Sequence, residues 1–255
     1  MIIRILSLFS CLIIAQHADS QRNLSDSAIG TPLLGIQYGL SWTAGDLQER
    51  YGLFNNAGFA TGYKFKSNWY VGVEGDFMFG KDIRMSPSDI FGHLADSKGN
   101  ITDQNGDIAS ILLFSRGFHA NIEVGRVFSK LGHNNNSGLM IKVGGGYLNH
   151  RMRIESNEQV IPSLEKDYKK GYDRLTTGFN ASQFIGYLFM ADHGFLNFYG
   201  GFFIQEGFTT NKRNAFYDQP GVPVPTETRL DILYGAKLGW LIPVYKRRPK
   251  DFYYN

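Results

Sequence analysis

The run Leu230 to Val244, LDILYGAKLGWLIPV, constrains the fold more than any other stretch of the chain. Every second residue, from Leu230 and Ile232 through Tyr234, Ala236, Leu238 and Trp240 to Val244, is apolar. The intervening row, Asp231, Leu233, Gly235, Lys237, Gly239, Leu241 and Pro243, is mixed, small and partly charged. A period of two is that of a β-strand with one greasy face. At ~3.3 Å per residue the run is longer than an ordinary soluble strand of ~3–10 residues. A long strand with Tyr and Trp in its apolar row suits the wall of a barrel set in lipid.

Seven earlier runs share the period: 35–42, 57–65, 69–79, one within 111–128, 139–151, 175–190 and 195–208. In the third, Trp69, Val71, Val73, Phe77 and Phe79 alternate with Gly72, Glu74 and Asp76. Two acids on one face of a greasy strand are costly unless that face is polar and paired. In the fourth, Phe118, Ala120, Ile122 and Val124 alternate with His119, Asn121 and Glu123, and Arg126 breaks the outward row near the strand end. In the sixth, Gln183 is a polar interruption of the apolar row.

The count is eight, and the connections alternate in length. Those at 66–68, 129–137 and 191–194 are short; those at 43–56, 81–107, 152–172 and 211–228 are longer, the last with Pro220, Pro223 and Pro225. Transmembrane barrels combine short periplasmic turns with long extracellular loops, whereas a soluble sandwich or lipocalin-like barrel has no reason to sort loops by parity. The expected fold is all-β: an eight-stranded antiparallel transmembrane β-barrel over 34–245, both termini periplasmic.

Composition agrees. Aromatic residues make up 15% of the chain and there are 30 Gly, a pairing that suits barrel walls. After the N-terminus no run approaches the ~20 apolar residues of a membrane helix. Residues 1–20 read as a signal peptide, with Arg4, an apolar stretch from Ile5 to Ala15, and the small-x-small run Ala18-Asp19-Ser20; residues 21–33 read as a periplasmic lead-in. Cys11 is the single cysteine, so the mature chain is expected to have no disulfide, thiol catalysis or thiolate metal site. The net charge of +3 is too small to argue for nucleic acid.

The inward rows collect Lys64, Glu74, Asp76, His119, Glu123, Lys142, Asn180, Asp231 and Lys237. An eight-stranded barrel has an interior just wide enough for side chains, so these acids and bases should neutralise one another as a packed ion-pair network. The alternative is a gated ion or proton path, because an intramembrane ionisable group is a functional candidate by default. A lipid-modifying barrel enzyme would need a His with a Ser or acid at the lipid-facing surface or mouth. His119 is inward, His150 and His193 sit near loops, and His93 and His133 read as solvated turn residues. No G-x-S-x-G or H-E-x-x-H run occurs. Asp103-Gln104-Asn105-Gly106-Asp107 lacks the calcium-loop register and its closing Glu, and reads as a turn. The expectation is a non-catalytic protein without cofactor or metal, in contact with outer-membrane lipid and with a periplasmic or outer-membrane protein partner.

The partner candidates lie in the tail 246–255, KRRPKDFYYN, where Lys246, Arg247, Arg248 and Lys250 are followed by Phe252, Tyr253 and Tyr254. Such a tail would anchor at anionic headgroups or dock a partner through aromatics and positive charge.

Aromatic-glycine strands such as Tyr70-Val71-Gly72-Val73-Glu74 and Gly144-Gly145-Gly146-Tyr147, with the loop parity, make 34–245 resemble the small outer-membrane β-barrels of the Bacteroidetes, OmpA- or OmpX-like in architecture. The run Gly239-Trp240-Leu241-Ile242-Pro243-Val244-Tyr245-Lys246 is similar to PorG-type barrels. That resemblance implies an accessory role in a type IX secretion assembly, with contacts to periplasmic ring proteins, and it transfers no site residue. The runner-up function is surface binding or adhesion through the long loops at 81–107 and 152–172; a lipid-modifying enzyme or a narrow channel follows.

Overall fold

The computed structural model describes residues 27–157, 159–192 and 196–244. The signal-peptide segment 1–20, His193 and the whole basic-aromatic tail lie outside them.

Eight strands form one closed antiparallel barrel: β1 (Thr31–Gly45), β2 (Leu53–Lys64), β3 (Trp69–Gly80), β4 (Leu112–Phe128), β5 (Gly138–Glu155), β6 (Thr176–Met190), β7 (Asn197–Asn211) and β8 (Arg229–Pro243). Each pairs with its sequence neighbours, and β8 closes the ring on β1, with Tyr38 opposite Leu238 and Leu34 opposite Ile242. Closure leaves no strand edge unpaired.

The period-two rows sort as their chemistry dictates. On β8 the burial alternates residue by residue: Leu230, Tyr234, Leu238 and Trp240 are exposed on the outer wall, and Asp231, Leu233, Lys237 and Leu241 are buried inside. Phe179, Phe202 and Ile122, exposed by 79, 70 and 68%, stand on the same outer wall. A water-soluble fold would not leave a continuous belt of such residues uncovered. Gln183, the interruption in that belt, has a partner: its Nε2 donates to Glu206 Oε2 on the outward row of β7 at 3.2 Å.

Several strands are longer than their sequence rows suggest. β1 begins at Thr31, inside the expected lead-in, because Pro32 sits where its missing N–H is not needed by the ladder; the Pro32 carbonyl instead accepts from Val244 N at 3.0 Å. β5 runs to Glu155, and β4 pairs with it along the whole of Leu112–Phe128, so this hairpin reaches beyond the rest of the wall. The alternation of connections persists: 65–68, 129–137 and 191–196 at one end, against 46–52, 81–111, 156–175 and 212–228 at the other.

The interior is layered. At the short-turn end Leu33, Tyr70, Met140, Phe184, Leu188, Met190 and Tyr199 form an apolar floor. A charged layer follows. At the long-loop end a second apolar cluster joins wall residues such as Phe54, Met78 and Leu148 to loop residues Ile90, Phe91, Ile161, Leu164 and Tyr172. The long connections therefore carry a core of their own.

Candidate functional site

Glycines make room for the interior charges. Asp76 faces Gly58 on β2, Glu123 faces Gly72 and Gly144, Lys142 faces Gly125, and Lys237 lies between Gly39 and Gly201. A Cβ on Gly125 would stand 2.9 Å from Lys142 Cγ, and one on Gly39 would stand 3.1 Å from Lys237 Cβ. At these four positions the aromatic-glycine pattern is thus the counterpart of the charge pattern, whereas Glu74 lies between Ala60 and Asn121.

The structure brings six of the predicted residues together. Lys237 Nζ donates to both oxygens of Glu74 at 2.9 Å. Lys142 Nζ lies 2.6 Å from Glu123 Oε2 and 3.6 Å from Glu74 Oε2. His119 Nε2 lies 3.3 Å from Asp76 Oδ2, and Gln37 Nε2 donates to Asp76 Oδ1 at 2.7 Å while its own carbonyl accepts from the Tyr199 hydroxyl. The two ammoniums also lie over rings: Lys142 is 4.9 Å from the Phe184 centroid and Lys237 is 4.8 Å from that of Phe203. Three carboxylates, two ammoniums and one imidazole, all buried, make a network whose members answer one another as buried ions must.

Glu74, Asp76 and His119 hold ligand atoms within 4.8 Å of one another, the spacing of a metal site. The donor set does not fit one, since Lys237 occupies both Glu74 oxygens and Lys142 adds a second positive charge alongside.

The remaining predicted residues stand apart. Asp231 belongs to a separate cluster towards the long-loop end. Its Oδ2 lies 2.9 Å from His150 Nε2 and accepts from the Thr209 hydroxyl, and its Oδ1 lies 3.5 Å from an Arg229 nitrogen. His150 was missed as an interior residue; extending the inward row of β5 past Leu148 by two positions would have found it. Lys64 joins no ion pair among the described residues. At the short-turn end its Nζ donates to Asn136 Oδ1 at 2.9 Å and to the Ile29 carbonyl at 3.3 Å, so the expectation that it shares the acid-base network is corrected. Asn180 is buried, and neither of its side-chain polar atoms is hydrogen-bonded among the described residues.

Over the long-loop end the connections fold into a cap. Ser86 and Asp89 form a reciprocal capping box for a short helix, α1 (Pro87–Phe91), which buries Ile90 and Phe91. Ion pairs join the later loops. Arg213 grips Asp173 with two nitrogens, at 2.8 and 2.5 Å, and that carboxylate raises Arg213 above the usual guanidinium range. Arg174 pairs with Asp218 at 2.5 Å while lying 3.8 Å over the Phe216 ring. Beneath them Arg50 bonds to Thr176 Oγ1 and Asn211 Oδ1. Burial, then Arg229, holds Arg50 down to about 10, which leaves it charged at neutral pH. His93, read as a solvated turn residue, bonds to the Tyr172 hydroxyl at 3.0 Å. Asp103 closes the turn 103–107 by accepting from Asn105 N and Asp107 N.

Between the loops lies a pocket of about 560 Å³ walled by Tyr168, Tyr172, Phe216 and Tyr217 with Pro162 and Pro220. Rigid flat faces with phenol hydroxyls at their edges suit recognition of a small ligand more than catalysis. Nothing in the individual loop sequences reveals it, because its walls come from three connections, Leu94 from 81–111, Pro162 to Tyr172 from 156–175 and Ala215 to Val222 from 212–228.

No protein-family model and no curated protein sequence matches this chain. Among solved structures, the N-terminal β-barrel domain of OprF from Pseudomonas aeruginosa aligns over 83% of this chain and 97% of its own, at 11% identity and a TM-score of 0.38. Ail, the attachment invasion locus protein of Yersinia pestis, aligns over 83% and 99%, at 11% identity and a TM-score of 0.35. The barrel assignment rests on the strand pairing of the chain itself.

Proposed function

We propose that the chain is a non-catalytic outer-membrane β-barrel protein that displays a folded recognition cap on the cell surface. The observation that carries this reading is the aromatic pocket, built by loops with their own apolar core above a barrel filled with ion pairs. The apolar outer wall, the sealed interior and the sorting of short and long connections support the membrane setting. Of the three histidine–carboxylate pairs among the described residues, His119–Asp76 and His150–Asp231 are enclosed in the barrel, and the exposed His133–Asp192 pair lies at the short-turn end, away from the cap. The ligand that suits the pocket is a saccharide, whose ring faces stack on Tyr rings while hydroxyls meet the phenols.

The test has two steps. Membrane fractionation with a gel comparing boiled and unboiled samples should give an outer-membrane band whose mobility shifts on boiling; a soluble, unshifted product would overturn the membrane reading. A saccharide panel on the purified protein should then give a binder that Tyr168→Ala with Tyr217→Ala abolishes without changing the gel shift.

A second reading is favoured by the sequence of the tail: an accessory component of an envelope or secretion assembly, of type IX kind. Its support is the cluster Lys246, Arg247, Arg248 and Lys250 beside Phe252, Tyr253 and Tyr254. Truncation after residue 245 would then remove a co-purifying partner while leaving saccharide binding intact.

A further inference from the structure

Arg116 and Arg151 are direct cross-strand partners on the outward face of the long β4–β5 hairpin. Like charges placed directly opposite each other in a sheet destabilise it. Neither of these arginines, nor Lys169 beside them, forms an ion pair among the described residues, whereas the neighbouring Arg153 is matched by Glu155 at 2.5 Å and Lys170 by Asp167 at 2.6 Å. All five bases line or border one groove of about 1140 Å³ on the outer wall. Its two acids are already engaged, Glu155 by Arg153 and Asp173 by Arg213. Among the described residues the surplus is positive and is matched by no further acid.

The groove's position says what would. Below the arginine pair the outward row of β4 runs from Phe118 through Ala120, Ile122 and Val124 to Phe128, broken only by Arg126, which lies 5.7 Å from the Trp69 ring at the opposite boundary. That row covers about eleven residues, which at ~3.3 Å each and a ~45° tilt rises ~25 Å, the height of the apolar band of an outer-membrane barrel. Arg116 and Arg151 stand one step above it. The floor of the groove is aromatic, with Phe77 directly opposite Phe118 and the Phe118 ring 5.8 Å from that of Tyr147. A ligand here meets positive charge at headgroup height and apolar rings at acyl-chain height.

We infer that this groove binds a phosphorylated glycolipid of the outer leaflet, with a phosphate between Arg116 and Arg151 and acyl chains along Phe77 and Phe118. Guanidinium forks match phosphate oxygens in charge and geometry, and a phosphate there turns an opposed pair of cations into a bridged one. The inference rests on the proposed membrane setting, in which the long loops face outward.

The experiment uses the full-length protein, folded in detergent micelles and assayed by native mass spectrometry with diphosphoryl lipid A as the probe. Folding is read from the boiling-dependent gel shift of the same sample, so a failed membrane reading shows as a missing shift and a failed site as a normal shift without lipid. Wild type should retain diphosphoryl lipid A about tenfold or more over its dephosphorylated form. Arg116→Gln with Arg151→Gln should erase that preference, Arg116→Lys with Arg151→Lys should keep much of it, and Arg126→Gln should leave it unchanged. Equal retention of the two lipid forms by wild type would overturn the inference without any variant. Full competition by inorganic phosphate alone would overturn it too, in favour of a free-anion site.

Discussion

Lys237 on the last strand donates to both carboxylate oxygens of Glu74 on the third, at 2.9 Å each, across 163 positions of sequence. Removing one partner of such a buried pair strands the other charge, which costs about 3–5 kcal/mol. Lys237→Met is therefore expected to lower the urea midpoint of the boiling-dependent gel shift steeply. Adding Glu74→Gln to Lys237→Met should recover part of that loss, because the orphaned carboxylate is then neutral. A double variant no more stable than the single one would show that Glu74 is sustained by Lys142 alone.

Lys64 supplies the contrast. With a side-chain amide and a carbonyl for partners and no carboxylate, Lys64→Met leaves unmatched acceptors but no unmatched ion. The expected cost is about 1–3 kcal/mol, below that of Lys237→Met in the same titration.

The outer wall gives a prediction specific to the membrane setting. Ile122 is 68% exposed near the middle of the β4 row. Ile122→Lys should cost about 2–4 kcal/mol when the protein folds into lipid bilayers, because the midplane of a barrel wall tolerates a cation least. A water-soluble barrel would accept the same change with little loss of folded fraction.

Inside the wall, a Cβ at Gly235 would overlap the Leu40 carbonyl oxygen and crowd the Ser41 Cα. Backbone cannot step aside as a side-chain tip can, so Gly235→Ala is expected to cost about 1–3 kcal/mol, read as a reduced shifted fraction in the gel. Gly92→Ala, where a Cβ meets nothing within 4 Å, is the matched control and should be neutral.

In the cap, Arg174 is buried, paired with Asp218 and stacked on Phe216. Arg174→Met removes the only ion paired with Asp218 among the described residues. Limited proteolysis should then cut within 212–228 while the gel shift of the barrel stays intact, separating the stability of the cap from that of the wall. Loss of the shift would mean that the two are one cooperative unit.

What the sequence discloses and what it hides follow from how each element is stabilised. The wall is legible because lipid outside and ions inside impose a strict period of two: the parity of Leu230 to Val244 alone predicts which residues of β8 are buried. The six-residue charged layer is legible for the same reason, since Glu74, Asp76, His119, Glu123, Lys142 and Lys237 all keep inward parity. Parity says nothing about height along the barrel, which is why Asp231 and Lys64 read as members of one network although they occupy different levels. The cap is illegible. Ile90, Phe91, Ile161, Leu164 and Phe216 follow no period, and their meeting depends on contacts between connections distant in sequence. Arg116 and Arg151 became visible as a pair only with the β4–β5 register, which no single strand encodes.

The ring closes where the first strand meets the last. β8 carries Lys237 and Asp231, so a barrel without it leaves Glu74 with Lys142 alone, His150 without its carboxylate and the seam open. Each strand added before β8 leaves that debt standing, and the final pairing discharges it at once. The wall therefore works like a clasp: half-fastened states are penalised at the same point where their edge is exposed, and assembly runs to a sealed cylinder or stalls before it.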